Sequence, residues 1–406
     1  MIDVSRINSA LELLETFSGK DQVQHQLIFN YHADQCINKI DIYAIRNRST
    51  DANFSLTWET WKQTNIILRL KTRDGYDGIS CVTSFYVDIF DENNLKELEK
   101  AIAVFITLKT IDPLKVSHKL RRLIPNVSDL VISSIDIALW DLAAKRANYP
   151  LSKLLGAERN KIDAYASLPC YESLDLYIDN IDNYLARGFK VIKLHVWGNF
   201  IKDKQLIENI NSKFKTTSVR FMMDFEGVYN FSDALSLGQL MNKELFICIE
   251  APIEDNLFKD YHKLREALPM MIIPDGFDLY SIAHLETGIT NKSWDAGRFD
   301  VSVVGGVTES LKLLIIANQA NLPMELQCWG HGLVQLINLH IILANQNSQF
   351  FEVPTPIDVY KFGMKDAILL EGNKIHAPDA PGIGIEINWS ELATADYYKK
   401  ISMGAR

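Results

Sequence analysis

The sequence predicts an α/β barrel standing behind a smaller α+β unit, and three observations lead there. Between residues 161 and 353, eight short apolar runs alternate with helix-patterned segments. Four of those runs end in polar groups, as Val191-Ile-Lys-Leu-His195, Phe221-Met-Met-Asp224, Phe246-Ile-Cys-Ile-Glu250 and Met271-Ile-Ile-Pro-Asp275, at spacings of about 25 to 31 residues. Ahead of this repeat lie strand-like runs joined by a tight turn and followed by helices, a different grammar from strictly alternating βα.

Taken in order, residues 1–38 carry apolar periodicity around Leu11–Leu14 but no motif, and read as an N-terminal extension. Residues 39–157 form the α+β unit. Its strands are expected at 37–46, 65–73 and 79–86, with Asp74-Gly75 turning the second into the third. Helical spacing follows at 94–108 and 113–123. A stronger helix starts at Ser128, with Asp129 as its N-terminal charge, and buries Val131, Ile135, Ala138, Leu139 and Leu142 before stopping at Tyr149-Pro150.

The barrel is assigned to residues 158–355. Its strands are expected at 161–167, 191–196, 220–225, 245–251, 271–274, 299–304, 324–329 and 350–353, with helices such as 204–214, 233–241, 258–267 and 308–320 between them. Eight parallel strands with seven intervening helices close naturally into a (β/α)7β barrel. An open doubly wound sheet is the competitor, but neither GxGxxG nor GxxxxGK[ST] occurs. Residues 356–406 are too few to stand alone and are expected to pack back on the N-terminal unit.

At 406 residues, 47% hydrophobic and 23% charged, the chain has the balance of a globular enzyme of two domains. A net charge of −9 disfavours nucleic acid and anionic membrane as partners. The opening Met1-Ile-Asp-Val-Ser5 is polar, and no apolar run of about 18 residues appears, so neither a signal peptide nor a membrane span is expected. Five scattered cysteines without a CxxC pair suit a reducing, cytoplasmic setting.

Barrel enzymes carry their chemistry at the C-terminal strand ends. Side chains alternate along a strand, so Lys193 and His195 share one face. Asp224, Glu250 and Asp275 end successive strands, and three converging carboxylates repel unless a cation neutralises them. Oxygen ligands suit a hard divalent ion, Mg2+ first and Mn2+ second, and no zinc-type His/Cys cluster competes. Any one of these carboxylates alone would read as an ordinary loop group capping the next helix. It is the succession that argues for a site.

The order Lys-x-His, Asp, Glu, Asp, followed by Phe299-Asp-Val-Ser-Val-Val-Gly-Gly-Val-Thr-Glu309, resembles the enolase superfamily, mandelate racemase/muconate lactonizing enzyme-like subgroup. Ala138-Leu-Trp-Asp-Leu-Ala-Ala-Lys145, Leu154-Leu-Gly156 and Pro381-Gly-Ile-Gly384 match it too, so the resemblance covers about residues 39–390. It implies a TIM-like barrel covered by a capping domain that the C-terminal segment completes. It also implies removal of a proton α to a carboxylate, the chemistry for which this superfamily is a general example. By resemblance Asp224, Glu250 and Asp275 hold Mg2+, although the third ligand in this family is more often Glu. Lys193 neutralises substrate charge and His195 is the base, where most relatives have Lys. Glu352 corresponds to a position that hydrogen-bonds the substrate carboxylate as an acid. Glu226, Gln327 and Trp329 are the candidate substrate contacts.

One departure matters. Many relatives oppose the first base with a His–Asp dyad. Asp300 matches its Asp, but the His position aligns with Gln327, which cannot take a proton at neutral pH. His331, four residues on, is the candidate replacement from a loop. A single base favours dehydration of an acid sugar to a 2-keto-3-deoxy acid over racemisation or epimerisation of a 2-hydroxy acid. A non-catalytic relative that binds metal or a carboxylate is the third reading, disfavoured by the retained charges. The expected partner is a small-molecule carboxylate. A homo-oligomer is expected from the habits of such barrels. Specificity is expected from residues 21–36 and 47–62, with Tyr31, His32, Trp58 and Trp61 as candidates.

Overall fold

The computed structural model describes residues 2–19, 29, 36–57, 60–84, 92–276, 281–365 and 368–404. Tyr31, His32 and Trp58 lie outside the described residues.

The α+β unit is a four-stranded antiparallel sheet in the order β14-β1-β2-β3, built from β1 (Ile37–Arg46), β2 (Thr64–Thr72), β3 (Asp77–Ser84) and the C-terminal β14 (Tyr397–Gly404). Ile42 of β1 stands opposite both Leu68 of β2 and Ile401 of β14. The chain end therefore completes the sheet begun near its start. Helix Asp129–Ala147, capped by the Ser128 hydroxyl, packs across β3. Asp141 accepts the Ile79 N–H at 2.7 Å, and Ser80 Oγ donates to the Ser134 carbonyl at 2.6 Å. The approach is so close that a Cβ on Gly78 would lie 2.1 Å from the Ala138 carbonyl oxygen, so only glycine fits.

This helix is buried on nearly all sides because the barrel covers its other face. Asp136 accepts the backbone N–H and the hydroxyl of Thr308, at the start of barrel helix Gly306–Gln319. The N-terminal segment is more than an appendage. Its helix Ala10–Ser18 buries Ala10, Leu13 and Leu14, and the Ala10 N–H reaches the Asp112 carboxylate at 3.1 Å.

In the barrel, β4 (Lys161–Leu168), β5 (Val191–His195), β6 (Arg220–Asp224), β7 (Phe246–Glu250) and β8 (Met271–Ile273) pair in parallel order. Strand β11 (Phe350–Pro354) pairs with β4 and closes the ring. Strands β9 (Gly297–Phe299) and β10 (Met324–Leu326) form a separate parallel pair. The Asp295 N–H ties that pair to β8 through the Ile272 carbonyl, and Glu325 ties it to β11 through the Gln349 and Phe350 N–H groups. The short strands β12 (Leu369–Glu371) and β13 (Lys374–His376) form a hairpin whose second strand runs antiparallel to β4.

The strand expected at 299–304 is instead β9 ending at Phe299, followed by a turn. Asp300 accepts the Ser302 N–H at 2.7 Å, and Gly305 and Gly306 take left-handed φ values of 103° and 85°. A Cβ on Gly306 would meet the Asp136 carboxylate at 2.4 Å. The apolar Val301, Val303 and Val304 had imitated a strand, but they lie in a turn, with Val301 and Val304 buried in the core and Val303 partly buried against it. All five cysteines are buried and free, and among the described residues no helix is long and apolar enough to cross a membrane.

Candidate active site

Strand register assembles the site. Parallel pairing sets His195 beside Asp224 and Asp224 beside Glu250, a row of three polar groups across the ends of β5, β6 and β7. The backbone then bends sharply, with positive φ at Glu226 (52°) and Ala251 (43°), conformations uncommon for residues with a side chain and often found at functional sites. The bend at Glu226 lets its N–H donate to Asp224 Oδ1 at 3.0 Å.

Lys193 lies one alternation below His195. Its Nζ reaches Glu352 Oε1 at 2.8 Å, Glu250 Oε2 at 2.9 Å and Asp224 Oδ2 at 3.0 Å. Burial alone would push its pKa down, but the three carboxylates outweigh burial and hold it well above the ordinary value. His195 meets the opposite fate. Burial dominates Asp224 and lowers the imidazole to about 4, so the ring is neutral at pH 7. Its Nδ1 lies 2.6 Å from the Leu168 carbonyl, which can only accept, so Nδ1 carries the proton. Nε2 is left bare, 3.4 Å from both Asp224 Oδ2 and Glu226 Oε1.

Arg298, fully buried on β9, was not among the sequence candidates. Its Nε contacts Glu250 Oε1 at 2.7 Å, and its Nη2 contacts Glu352 Oε2 at 2.8 Å. It precedes Asp300 by two residues, so the alternation that paired Lys193 with His195 was the available signal. Glu352 also accepts the Cys328 N–H at 3.0 Å. Burial would raise its pKa, but Lys193 and Arg298 hold it far below the carboxylate range. Glu352 therefore stands between two cations, Lys193 and Arg298, which favour its ionised form.

The opposite side of the barrel mouth holds Asp300 and Gln327, neighbours across β9 and β10. Asp300 Oδ1 accepts from Ser302 N–H and from Asn338 Nδ2, while burial raises its pKa to about 6. The Asp300 Oδ2 and Gln327 Oε1 atoms are buried with no hydrogen-bond partner among the described residues. His331 does not join them. It caps helix Gly332–Ala344, where Nδ1 accepts the Leu333 N–H at 3.2 Å and Nε2 donates to the Phe362 carbonyl at 2.7 Å. Both nitrogens are engaged with backbone, so the structure contradicts its expected use as a second base. Trp329 donates Nε1–H to Ser167 Oγ at 3.0 Å and stands edge-on to His195, ring centroids 6.0 Å apart. Phe54 from the cap, missed in the sequence, lies 5.0 Å from the His195 ring and 4.6 Å from Trp61.

Among the described residues, the side chains that bring three potential metal-ligand atoms together are His195, Asp224 and Glu226. Asp275 is only partly buried. Its N–H donates to Asp255 Oδ1, and its charge raises the pKa of Glu226. The residues fit a divalent ion on electrostatic grounds. Five carboxylates (Asp224, Glu226, Glu250, Asp275 and Glu352) stand in or beside the cluster against two fixed cations, Lys193 and Arg298. Burial, reinforced by Asp224, pushes Glu226 and Glu250 well above the carboxylate range. A bound cation relieves that repulsion, and the oxygen-rich donor set suits a hard one.

Comparison with known proteins agrees with this geometry. Residues 177–391 match the family described as enolase C-terminal domain-like, and residues 39–156 match the mandelate racemase/muconate lactonizing enzyme N-terminal domain. The chain belongs to the enolase superfamily, in its mandelate racemase/muconate lactonizing enzyme-like subgroup. It is 27% identical over 263 residues to an arabinonate dehydratase of Saccharolobus solfataricus, spanning 63% of this chain and 69% of that one. It is 25% identical over 344 residues to an o-succinylbenzoate synthase of Listeria innocua, spanning 80% and 87%. A crystal structure of a mandelate racemase/muconate lactonizing enzyme-type protein from Pseudovibrio sp. superposes with a TM-score of 0.86 at 29% identity, covering 91% of this chain and 99% of that one.

Proposed function

We propose that this protein catalyses divalent-cation-dependent abstraction of the proton α to a carboxylate, with dehydration of an acid sugar as the favoured outcome. The observation that carries the reading is one available base facing a position held by a residue that is not a base. His195 Nε2 is unprotonated beside the carboxylate row, whereas Gln327 stands where a second base would be needed and both nitrogens of His331 are engaged. A one-base site supports syn elimination, in which His195 takes the α proton and the imidazolium so formed returns a proton on the same face to the β-hydroxyl, which departs as water as the C=C bond forms.

Asp224 and Glu250 would hold Mg2+ or Mn2+, with Asp275 or Glu226 completing the set. The ion would supply Lewis-acid stabilisation of charge developing on the substrate carboxylate. The chain's own groups do the rest. Leu168 fixes the His195 tautomer, and Lys193 offers a permanent positive charge beside the carboxylate row. The aromatic cap of Phe54, Trp61 and Trp329 limits water near the base. The same rings favour a second reading of the substrate: a carboxylate with an apolar group facing His195, in place of a fully hydroxylated sugar acid. Arabinonate dehydratase similarity supports the first reading, and o-succinylbenzoate synthase similarity supports the second.

Proton NMR in D2O with Mg2+, using sugar acids and aryl- or alkyl-substituted carboxylates and an EDTA control, tests both. Loss of the α-proton signal with a new 2-keto-3-deoxy product from a sugar acid is expected. Exchange without a new product would replace dehydration by racemisation or epimerisation. No exchange in any compound would leave the non-catalytic reading standing.

A further inference from the structure

The two carboxylates at the centre of the row are each tied down by one oxygen. Asp224 Oδ1 accepts the Glu226 N–H at 3.0 Å, and Glu250 Oε1 stands in an ion pair with Arg298 Nε at 2.7 Å. The oxygens left to these residues, Asp224 Oδ2 and Glu250 Oε2, are the pair that converges on Lys193. Arg298 is itself held from two further sides, by Glu352 Oε2 at 2.8 Å and by the Tyr165 hydroxyl at 3.4 Å, and is fully buried. If such a guanidinium swung away, Lys193 would have to balance Glu250 and Glu352 as well as Asp224, so the guanidinium is held in place.

We infer that Arg298 is a positioning residue that makes the site selective among divalent cations by restricting Glu250 to a single ligating oxygen. This rests on the divalent-cation reading above. Ca2+ prefers about six to eight oxygens and readily takes both oxygens of one carboxylate, whereas Mg2+ and Mn2+ accept about six, one from each carboxylate. A site whose carboxylates each present one oxygen lacks the donors that a large ion needs. Nothing in the sequence marks Arg298 for this role. It follows from the position of its Nε on the oxygen that a second metal bond would require.

The test is cation binding, which needs no substrate. Mn2+ affinity is measured by electron paramagnetic resonance, and Ca2+ and Mg2+ affinities by competition, for the wild type and Arg298→Gln. The wild type is expected to bind Mn2+ and Mg2+ in preference to Ca2+. Arg298→Gln should raise the Ca2+ to Mg2+ affinity ratio by at least about threefold, because Glu250 regains its second oxygen. Loss of positive charge alone would tighten both ions together and leave the ratio unmoved. A folded variant with an unchanged ratio overturns the inference and spares the reaction proposed above. A wild type that binds Ca2+ as well as Mn2+ overturns the inference even where the variant fails to fold. A wild type that binds no Mn2+ removes the cation reading and this inference together.

Discussion

Lys193 and His195 are two residues apart on one strand and equally buried, yet their neighbours drive them to opposite protonation states. Lys193 touches three carboxylates and stays charged, while His195 is held neutral by burial and by its bond to Leu168. This division leaves His195 Nε2 as the group able to accept a proton. His195→Asn should slow α-proton exchange into D2O by roughly 10²- to 10⁴-fold, the usual weight of a general base, while Mn2+ binding persists through Asp224 and Glu250. An exchange rate within a few-fold of wild type would remove His195 from the reaction. A second buried acid makes a prediction about stability. Burial raises the pKa of Asp136 from 3.8 to about 7 against the hydrogen bonds of Thr308. The folded state thus binds more protons than the unfolded state between these values, and stability falls as pH rises from about 4 to about 7. A shift of that size bounds the loss at roughly 4 kcal/mol. Asp136→Asn retains an acceptor for the Thr308 N–H and cannot ionise, so urea melts at pH 5 and pH 8 should differ less for the variant than for the wild type.

At the level of elements, the polar strand ends were legible because a parallel strand is apolar until it reaches the mouth of the barrel. Lys193, His195, Asp224 and Glu250 could therefore be found by position alone. Arg298 was not, because β9 is three residues long and its flanking valines extended the apparent strand past Asp300. The role of His331 was equally hidden. A histidine after Trp-Gly suggests a loop group, and only the helix that begins at Gly332 turns it into a cap. The cap leads to a prediction. His331→Ala removes the acceptor for the Leu333 N–H and the donor to Phe362, and should cost about 1–2 kcal/mol of stability. Proton exchange at 25 °C should stay within a few-fold of wild type. A loss of 10²-fold or more in a folded variant would return His331 to the chemistry.

At the scale of the whole molecule, the barrel supplies the groups proposed to react, and the cap supplies Phe54, which lies beside His195 with Trp61 packed against it. The cap in turn depends on the end of the chain. Strand β14 pairs along β1, Ser402 Oγ donates to the buried Asp41, and Tyr398 packs against Tyr43. The sequence suggested that the tail returns to the N-terminal unit, but the alternation of Tyr397–Gly404 is too polar to reveal that it is a strand. Deleting residues 397–406 would turn β1 into an edge and leave its outer backbone groups unpaired. That should cost on the order of a few kcal/mol, since several ladder bonds disappear together, and should lower the melting temperature. The barrel's Asp224 and Glu250 do not touch this strand, so Mn2+ binding should survive at temperatures where the truncated protein is folded. Proton exchange should fall much further than Mn2+ affinity, because a loosened cap no longer holds Phe54 beside the base. Equal losses in both would mean that β14 supports the barrel as a whole. Unchanged exchange would mean that the cap's hold on Phe54 does not depend on the sheet that the C-terminus completes.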